Sequence, residues 1–141
     1  MAVGLTRACI EETRRLLAES GLEADDDTPL SSQTAAAAEL LSMEADYEAA
    51  RLLTLQAAWM ADNRKPNSLQ ASMAKAKAGR SCTDIALRCV RLVGAAGYTE
   101  TELLEKWARD AKILDIFEGT QQIQLLIVAR LLLGKTSADL R

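Results

Sequence analysis

The chain has 141 residues, 49% of them hydrophobic, a size that suits one compact domain with a single core and falls short of two ordinary domains. Its formal net charge of −3 and aromatic content of 4% offer neither a basic face for phosphate backbones nor platforms for base stacking, so nucleic acid is not an expected partner. No apolar run approaches the roughly 18 residues of a membrane span, and we predict a soluble, single-domain protein over residues 1–141 without a membrane partner.

The cysteines and histidines limit the chemistry further. Cys9, Cys82 and Cys89 are odd in number and histidine is absent, so neither a disulfide framework nor a common zinc pattern is available. Cys82 and Cys89 are seven residues apart in the sequence, which places them on one face of a helix, where they are expected to be small buried hydrophobes. These features predict a reducing cytoplasm and no metal site.

The first half of the chain predicts two helices. An amphipathic pattern covers residues 3–19 and is followed by a polar, acidic connector. Ser31 or Ser32 is the expected cap of a second helix, which runs over residues 35–62 without proline or glycine. The second helix presents one broad apolar stripe: Leu41, Ala45, Leu52, Leu55 and Trp59.

The second half predicts two long helices and one short piece. Ser68 opens a helix that ends at Gly94, and the short connector before it favours an antiparallel pair with the preceding helix. Residues 100–107 predict a short helical piece, and residues 120–133 predict a final helix with apolar groups around its whole circumference. We therefore predict an all-α fold, a four-helix bundle of the up-down type. Its last helix requires either oligomerisation or packing on another domain.

One carboxylate has unusual neighbours. Glu118 stands between the apolar pair Ile116 and Phe117 and the flexible Gly119, immediately before the final helix. Apolar neighbours that remove water raise the pKa of a carboxyl group, so Glu118 is a candidate general base, and glycine would allow close approach of a ligand. The alternative is an ordinary glutamate in the first turn of a helix, stabilised there by the helix dipole.

Four segments together carry a resemblance to a known family. They are Val-Gly-Ala-Ala-Gly-Tyr at residues 93–98, Lys-Trp-Ala-Arg-Asp-Ala-Lys-Ile at 106–113, Phe-Glu-Gly-Thr at 117–120 and Ile-Val-Ala-Arg at 127–130. In this order and spacing, the chain resembles the C-terminal helical domain of the flavin-dependent acyl-CoA dehydrogenases. The resemblance implies a domain that in full-length subunits follows an N-terminal helical domain and a middle β-domain, typically in a tetramer.

The resemblance also implies roles for individual residues. Glu118 matches the glutamate that removes the α-proton of an acyl-CoA thioester while FAD accepts a hydride from the β-carbon. Phe117 and Gly119 would contact the substrate. Thr120 and Gln122 match positions that contact the adenine-diphosphate part of FAD, at a helix N-terminus whose N–H groups favour phosphate.

A second cofactor contact is implied at the Gly-Gly-x-Gly loop of the family. Gly94 is retained there, whereas Arg91 replaces the usual preceding glutamine and could pair with the pyrophosphate. The family's Arg-x-x-Phe-Gly element, whose arginine reaches the FAD of a neighbouring subunit, is replaced by residues 20–24. The expected function is therefore acyl-CoA dehydrogenation in a homo-oligomer or with a partner dehydrogenase subunit. The alternative is a non-catalytic helical assembly module that has lost flavin binding.

Overall fold

The computed structural model describes residues 1–140, except for the side chains of Ser137 and Leu140. Within that range the protein is all-α and has no β-strand, as predicted. The five α-helices are α1 (Ala2–Glu19), α2 (Ala35–Asp62), α3 (Ser68–Val93), α4 (Leu104–Ile116) and α5 (Gln121–Leu132). Short 3-10 turns occupy Leu30–Ser32, Gly94–Tyr98 and Ser137–Leu140. None of the helices in the described range is both long enough and apolar enough to span a membrane.

Helix α3 is the central helix, because it packs against each of the other four. Its first half is built largely from small residues that are buried, namely Ser72, Ala74, Ala76, Ala78, Gly79 and Ser81. Small side chains let neighbouring backbones approach from several directions, which is what a helix surrounded by other helices requires. The remaining helices α1, α2 and α4 complete the bundle around α3, and α5 packs on its outside.

Helices α2 and α3 are antiparallel, as their short connector predicts. Lys77 of α3 pairs with Asp46 of α2 at 2.7 Å. About three turns later on α3 and two turns earlier on α2, Arg88 pairs with Glu39 at 2.8 Å. The α3 residue numbers rise while the α2 residue numbers fall, which fixes the relative direction of the two helices.

The core lies between α1, α2, α3 and α4. Its fully inaccessible side chains include all three cysteines, and the cysteines are free thiols, so their interpretation as small buried hydrophobes is confirmed. The largest residues that share this interior are Leu40, Met43, Ile85 and Leu104.

Two local predictions are wrong. The cap of α2 is Thr34, whose Oγ1 accepts a hydrogen bond from the Ala37 N–H at 3.2 Å, while Ser31 and Ser32 belong to the preceding 3-10 turn. The short piece expected at residues 100–107 is instead the full helix α4, which starts later and ends later. Its apolar positions continue past the charged stretch, with Ala111 and Leu114 buried, so tertiary packing extends the helix.

The apolar stripe predicted on α2 faces away from the core. The buried positions of α2 are Ala37, Leu40, Met43, Ala50 and Ala57, whereas Leu52, Leu55 and Trp59 are at least half exposed. Helix α5 shows the same property more strongly, because none of its residues is buried. The outer sides of α2 and α5 are therefore apolar surfaces that residues 1–140 leave uncovered.

Candidate active site

The candidate site is the tight connection between α4 and α5. Phe117 ends α4 with an extended backbone, and its N–H donates to the Ile113 carbonyl at 3.0 Å. Glu118 and Gly119 both have left-handed φ angles, +56° and +93°. Thr120 then caps α5, its Oγ1 accepting from the Ile123 N–H at 3.4 Å.

The backbone of Glu118 is in an uncommon conformation. Positive φ is unfavourable for a residue with a Cβ, and such outliers concentrate at functional sites. The other non-glycine case in residues 1–140 is Arg64, two residues past α2, where the Lys65 N–H donates to the Met60 carbonyl at 2.8 Å and closes an ordinary left-handed helix cap. Glu118 also stands two residues past its helix, but it follows the extended residue Phe117. At Glu118 the conformation is held by Gln124, whose side-chain amide donates to the Glu118 carbonyl at 3.1 Å.

The positive φ of Gly119 favours glycine, and a larger residue would also disturb the Gln124 side chain. A Cβ at this position would lie 2.7 Å from the Gln124 Nε2 that holds the loop. The glycine therefore permits the same side chain to secure Glu118, and the sequence pattern Glu-Gly-Thr directly before a helix reflects this geometry.

A cavity of about 490 Å³ opens beside the loop. Phe117 and Glu118 form part of its wall, and residues from α1, α2, α3, α4 and α5 form the rest, most of them apolar. The Glu118 side chain is exposed, and Ile116 is 46% exposed. The chain alone therefore does not produce the desolvation of Glu118 that its apolar neighbours suggested. Nor does Glu118 lie in the first turn of α5, because it precedes the capping residue.

Thr120 and Gln122 lie at the N-terminus of α5. The first N–H groups of a helix have no partner within the helix, and the helix dipole favours negative charge there. A dinucleotide phosphate therefore fits the chemistry of this end of α5, and Gln122 is exposed to receive a ligand.

Arg91 and Gly94 lie elsewhere, at the C-terminal end of α3. Gly94 caps that helix with a φ of +70°, and Arg91 pairs with Glu39 at 3.0 Å. The neighbouring Arg88 guanidinium lowers the pKa of Glu39, which keeps this partner negatively charged. At 1.5 Å per residue, Arg91 is about 18 Å along α3 from Gly79, a residue of the cavity wall. Arg91 and Gly94 are therefore distant from the cavity wall that includes Phe117 and Glu118, the residues just before Thr120 and Gln122.

Lys75 belongs to the site although its sequence context did not single it out. It lines the cavity and donates from Nζ to the carbonyl oxygens of Leu114 (3.1 Å) and Asp115 (3.4 Å), directly before the loop. The available signal was a lysine within a run of small residues that α3 buries, four positions before Gly79.

Comparisons with known proteins agree with this architecture. The family model of the acyl-CoA dehydrogenase C-terminal domain matches residues 1–133. The mitochondrial short-chain specific acyl-CoA dehydrogenase of Bos taurus is 41% identical over 101 residues, which cover 72% of this chain and 24% of the bovine protein. The chain therefore belongs to the acyl-CoA dehydrogenase family.

Solved structures extend the match over nearly the whole chain. Butyryl-CoA dehydrogenase from Megasphaera elsdenii superposes with a TM-score of 0.80 at 30% identity, covering 94% of this chain and 34% of that one. A glutaryl-CoA dehydrogenase from Mycobacterium smegmatis in complex with FADH2 gives 0.82 at 25% identity, covering 96% and 34%. The chain thus spans about a quarter to a third of the length of these relatives.

Proposed function

We propose that this chain supplies the catalytic base of a flavin-dependent acyl-CoA dehydrogenase, with Glu118 removing the α-proton of an acyl-CoA thioester. The observation that supports this most strongly is the position of Glu118, which has a left-handed backbone and forms part of the wall of a largely apolar cavity. Because the relatives are about three times as long as this chain, the proposed activity requires segments supplied by the remainder of a longer chain or by a partner subunit.

In this proposal each loop residue has a distinct task. Phe117 and Gly119 contact the acyl thioester on either side of Glu118, and Gly119 leaves room for a thin acyl chain. Glu118 accepts the proton, which is easiest once further segments cover the loop and exclude water from the carboxylate. FAD, when bound, supplies the acceptor for the hydride that leaves the β-carbon.

The cofactor residues are divided between two places. Thr120 and Gln122 would hold the diphosphate of FAD beside the catalytic loop, at the N-terminus of α5. Arg91 and Gly94 are too distant to contact the same part of the same cofactor in one copy, so we assign them to an FAD held by a second copy or by a partner dehydrogenase subunit. This assignment requires Arg91 to release Glu39, a contact that involves an exposed side chain and is weak.

The decisive experiment measures flavin reduction under anaerobic conditions. The chain is mixed with FAD and the remaining dehydrogenase segments, and acyl-CoA is added while flavin absorbance is recorded. Glu118→Gln should lower the bleaching rate by roughly 10²- to 10⁴-fold with FAD still bound, because the amide cannot accept the proton. Glu23→Gln, an exposed connector residue, is the matched control and should bleach at the original rate. If Glu118→Gln bleached the flavin at the wild-type rate, Glu118 would not be the catalytic base.

A helical assembly module is the second candidate. The observation that favours it is the outer surface of α5, where Ile123, Leu125, Leu126 and Leu132 are about half exposed or more. In this case the chain would join other subunits through α5 and bind no flavin. Stable complexes that contain this chain but no FAD in any mixture would support the module over the enzyme.

A further inference from the structure

The contact between α3 and α4 determines where the catalytic loop begins. Lys75 projects from α3 to the C-terminal end of α4, where its ammonium group donates to the carbonyl oxygens of Leu114 and Asp115. The same Nζ lies 6.0 Å from the centre of the Phe117 ring. One half-buried side chain thus contacts the last turn of α4 and the first residue of the loop.

A positive charge is well suited to this place. The last four carbonyl groups of a helix have no partner within it, and the helix dipole makes that end negative. A hydrogen bond to a charged donor is stronger than one between neutral groups. Lys75 therefore stabilises the point at which α4 stops and the chain turns into the left-handed conformation of Glu118.

The residues that follow Lys75 at four-residue intervals bring α4 within its reach. A Cβ at Gly79 would lie 2.9 Å from the Leu114 carbonyl oxygen, so the glycine permits the two backbones to touch. The hydroxyl of Thr83 lies 3.3 Å from the Ala111 carbonyl oxygen, one turn earlier on α4. Because residues four apart share a helix face, Lys75, Gly79 and Thr83 form one contact line along α4.

We propose that Lys75 is a positioning residue for Glu118, which it holds at the cavity wall by fixing the C-terminal end of α4. The proposal rests on the proposed function for its catalytic consequence, whereas its structural part concerns only residues 114–120. Lys75 does not react with the substrate.

The structural part is tested on the 141-residue chain by hydrogen–deuterium exchange. Lys75→Met retains the length of the side chain and removes the donor, so the amides of residues 114–117, whose hydrogen bonds close the last turn of α4, should exchange about tenfold faster. Lys75→Arg keeps the charge and the donors and should restore most of the protection. Lys77→Met is the matched control, because Lys77 pairs with Asp46 on α2 and its loss should leave this segment unchanged.

Two results would overturn the structural part. One is unchanged exchange at residues 114–117 in Lys75→Met. The other is faster exchange spread equally over α1 and α2, which would show that Lys75 supports the whole bundle instead of the loop. If Lys75→Met does not fold, judged by circular dichroism, Lys75→Gln replaces it as an uncharged, shorter variant.

The catalytic part is tested in the flavin-containing assembly. Lys75→Met should lower kcat roughly 10- to 100-fold with little change in KM, because a misplaced base slows proton removal without weakening thioester binding. Wild-type kcat in Lys75→Met, with Glu118→Gln inactive, would refute positioning while leaving the proposed function intact. Full activity of Glu118→Gln would instead refute the proposed function, and the exchange experiment would still decide whether Lys75 holds the loop.

Discussion

Helix α5 is the more hydrophobic of the two helices α3 and α5, but α3 is the more deeply buried. Helix α5 is composed mainly of leucine, isoleucine and valine, yet none of its residues is buried. Helix α3 contains lysines, arginines and serines, yet it provides much of the core, including Cys82, Ile85 and Cys89 with no exposed surface. Burial in this chain therefore follows the availability of neighbours and not the apolar content of a helix.

Side-chain size explains the difference. The small residues of α3 allow α1, α2, α4 and α5 to approach it together, and each neighbour covers a further part of its surface. The large side chains of α5 pack mainly on α3, and no α5 residue is buried by the described part of the chain. The exposed leucine side chains of α5 together form an apolar surface of the kind that mediates protein association.

The largest expected effect comes from truncating one large aliphatic side chain to alanine in each helix, which compares burial in α3 with burial in α5. Ile85→Ala should lower the free energy of unfolding by about 2–5 kcal/mol, because it leaves a cavity in a fully buried position. Leu126→Ala, at a position 51% exposed, should lower it by less than about 1 kcal/mol. Urea denaturation of both variants measures the two values, and equal losses would contradict the contrast between α3 and α5.

A smaller effect is expected at the closest backbone contact of α3. Gly79→Ala should destabilise the chain by about 1–3 kcal/mol, because the new methyl group would push the Leu114 carbonyl and move α4. Gly4→Ala on α1 is the matched control: nothing lies within 4 Å of the new Cβ, so better helix propensity should make it neutral or slightly stabilising. Thermal unfolding distinguishes the two, and a stabilising Gly79→Ala would refute the tight contact.

The sequence predicted the helical elements because their apolar periodicity and breakers are local. The bounds of α2 and the start of α3 agree with the prediction, since proline and asparagine interrupt the pattern between them. Two features depended on distant residues. Helix α4 is extended through Leu114 by packing on α3, and the outward direction of Leu52 and Trp59 depends on which face of α2 meets α3.

The sequence predicted where the candidate site lies but not the backbone conformation or the contacts of its residues. Glu118 stood out through its neighbours and the resemblance, whereas its left-handed backbone depends on Gln124 reaching back across Gly119. Lys75 could not be assigned to the loop, because its partners are 39 and 40 residues away along the chain. The roles of Thr120, Gln122, Arg91 and Gly94 remain predictions, since they concern a cofactor and a second chain.

The last expected effect is a pH dependence that arises from the thiols of the packed region. Burial raises the pKa of the Cys89 thiol from 9.0 to about 11, and it also raises the pKa of Cys9 and Cys82. Between pH 9 and 11 the unfolded chain therefore holds fewer thiol protons than the folded chain, and stability falls as pH rises, by up to about 1.4 kcal/mol per pH unit for each thiol. Cys89→Ala removes one of these groups, so its unfolding free energy should decline less steeply above pH 9 than that of the wild type, even though its value at pH 7 is lower. Parallel declines would show that the Cys89 thiol is not protected from ionisation by the core.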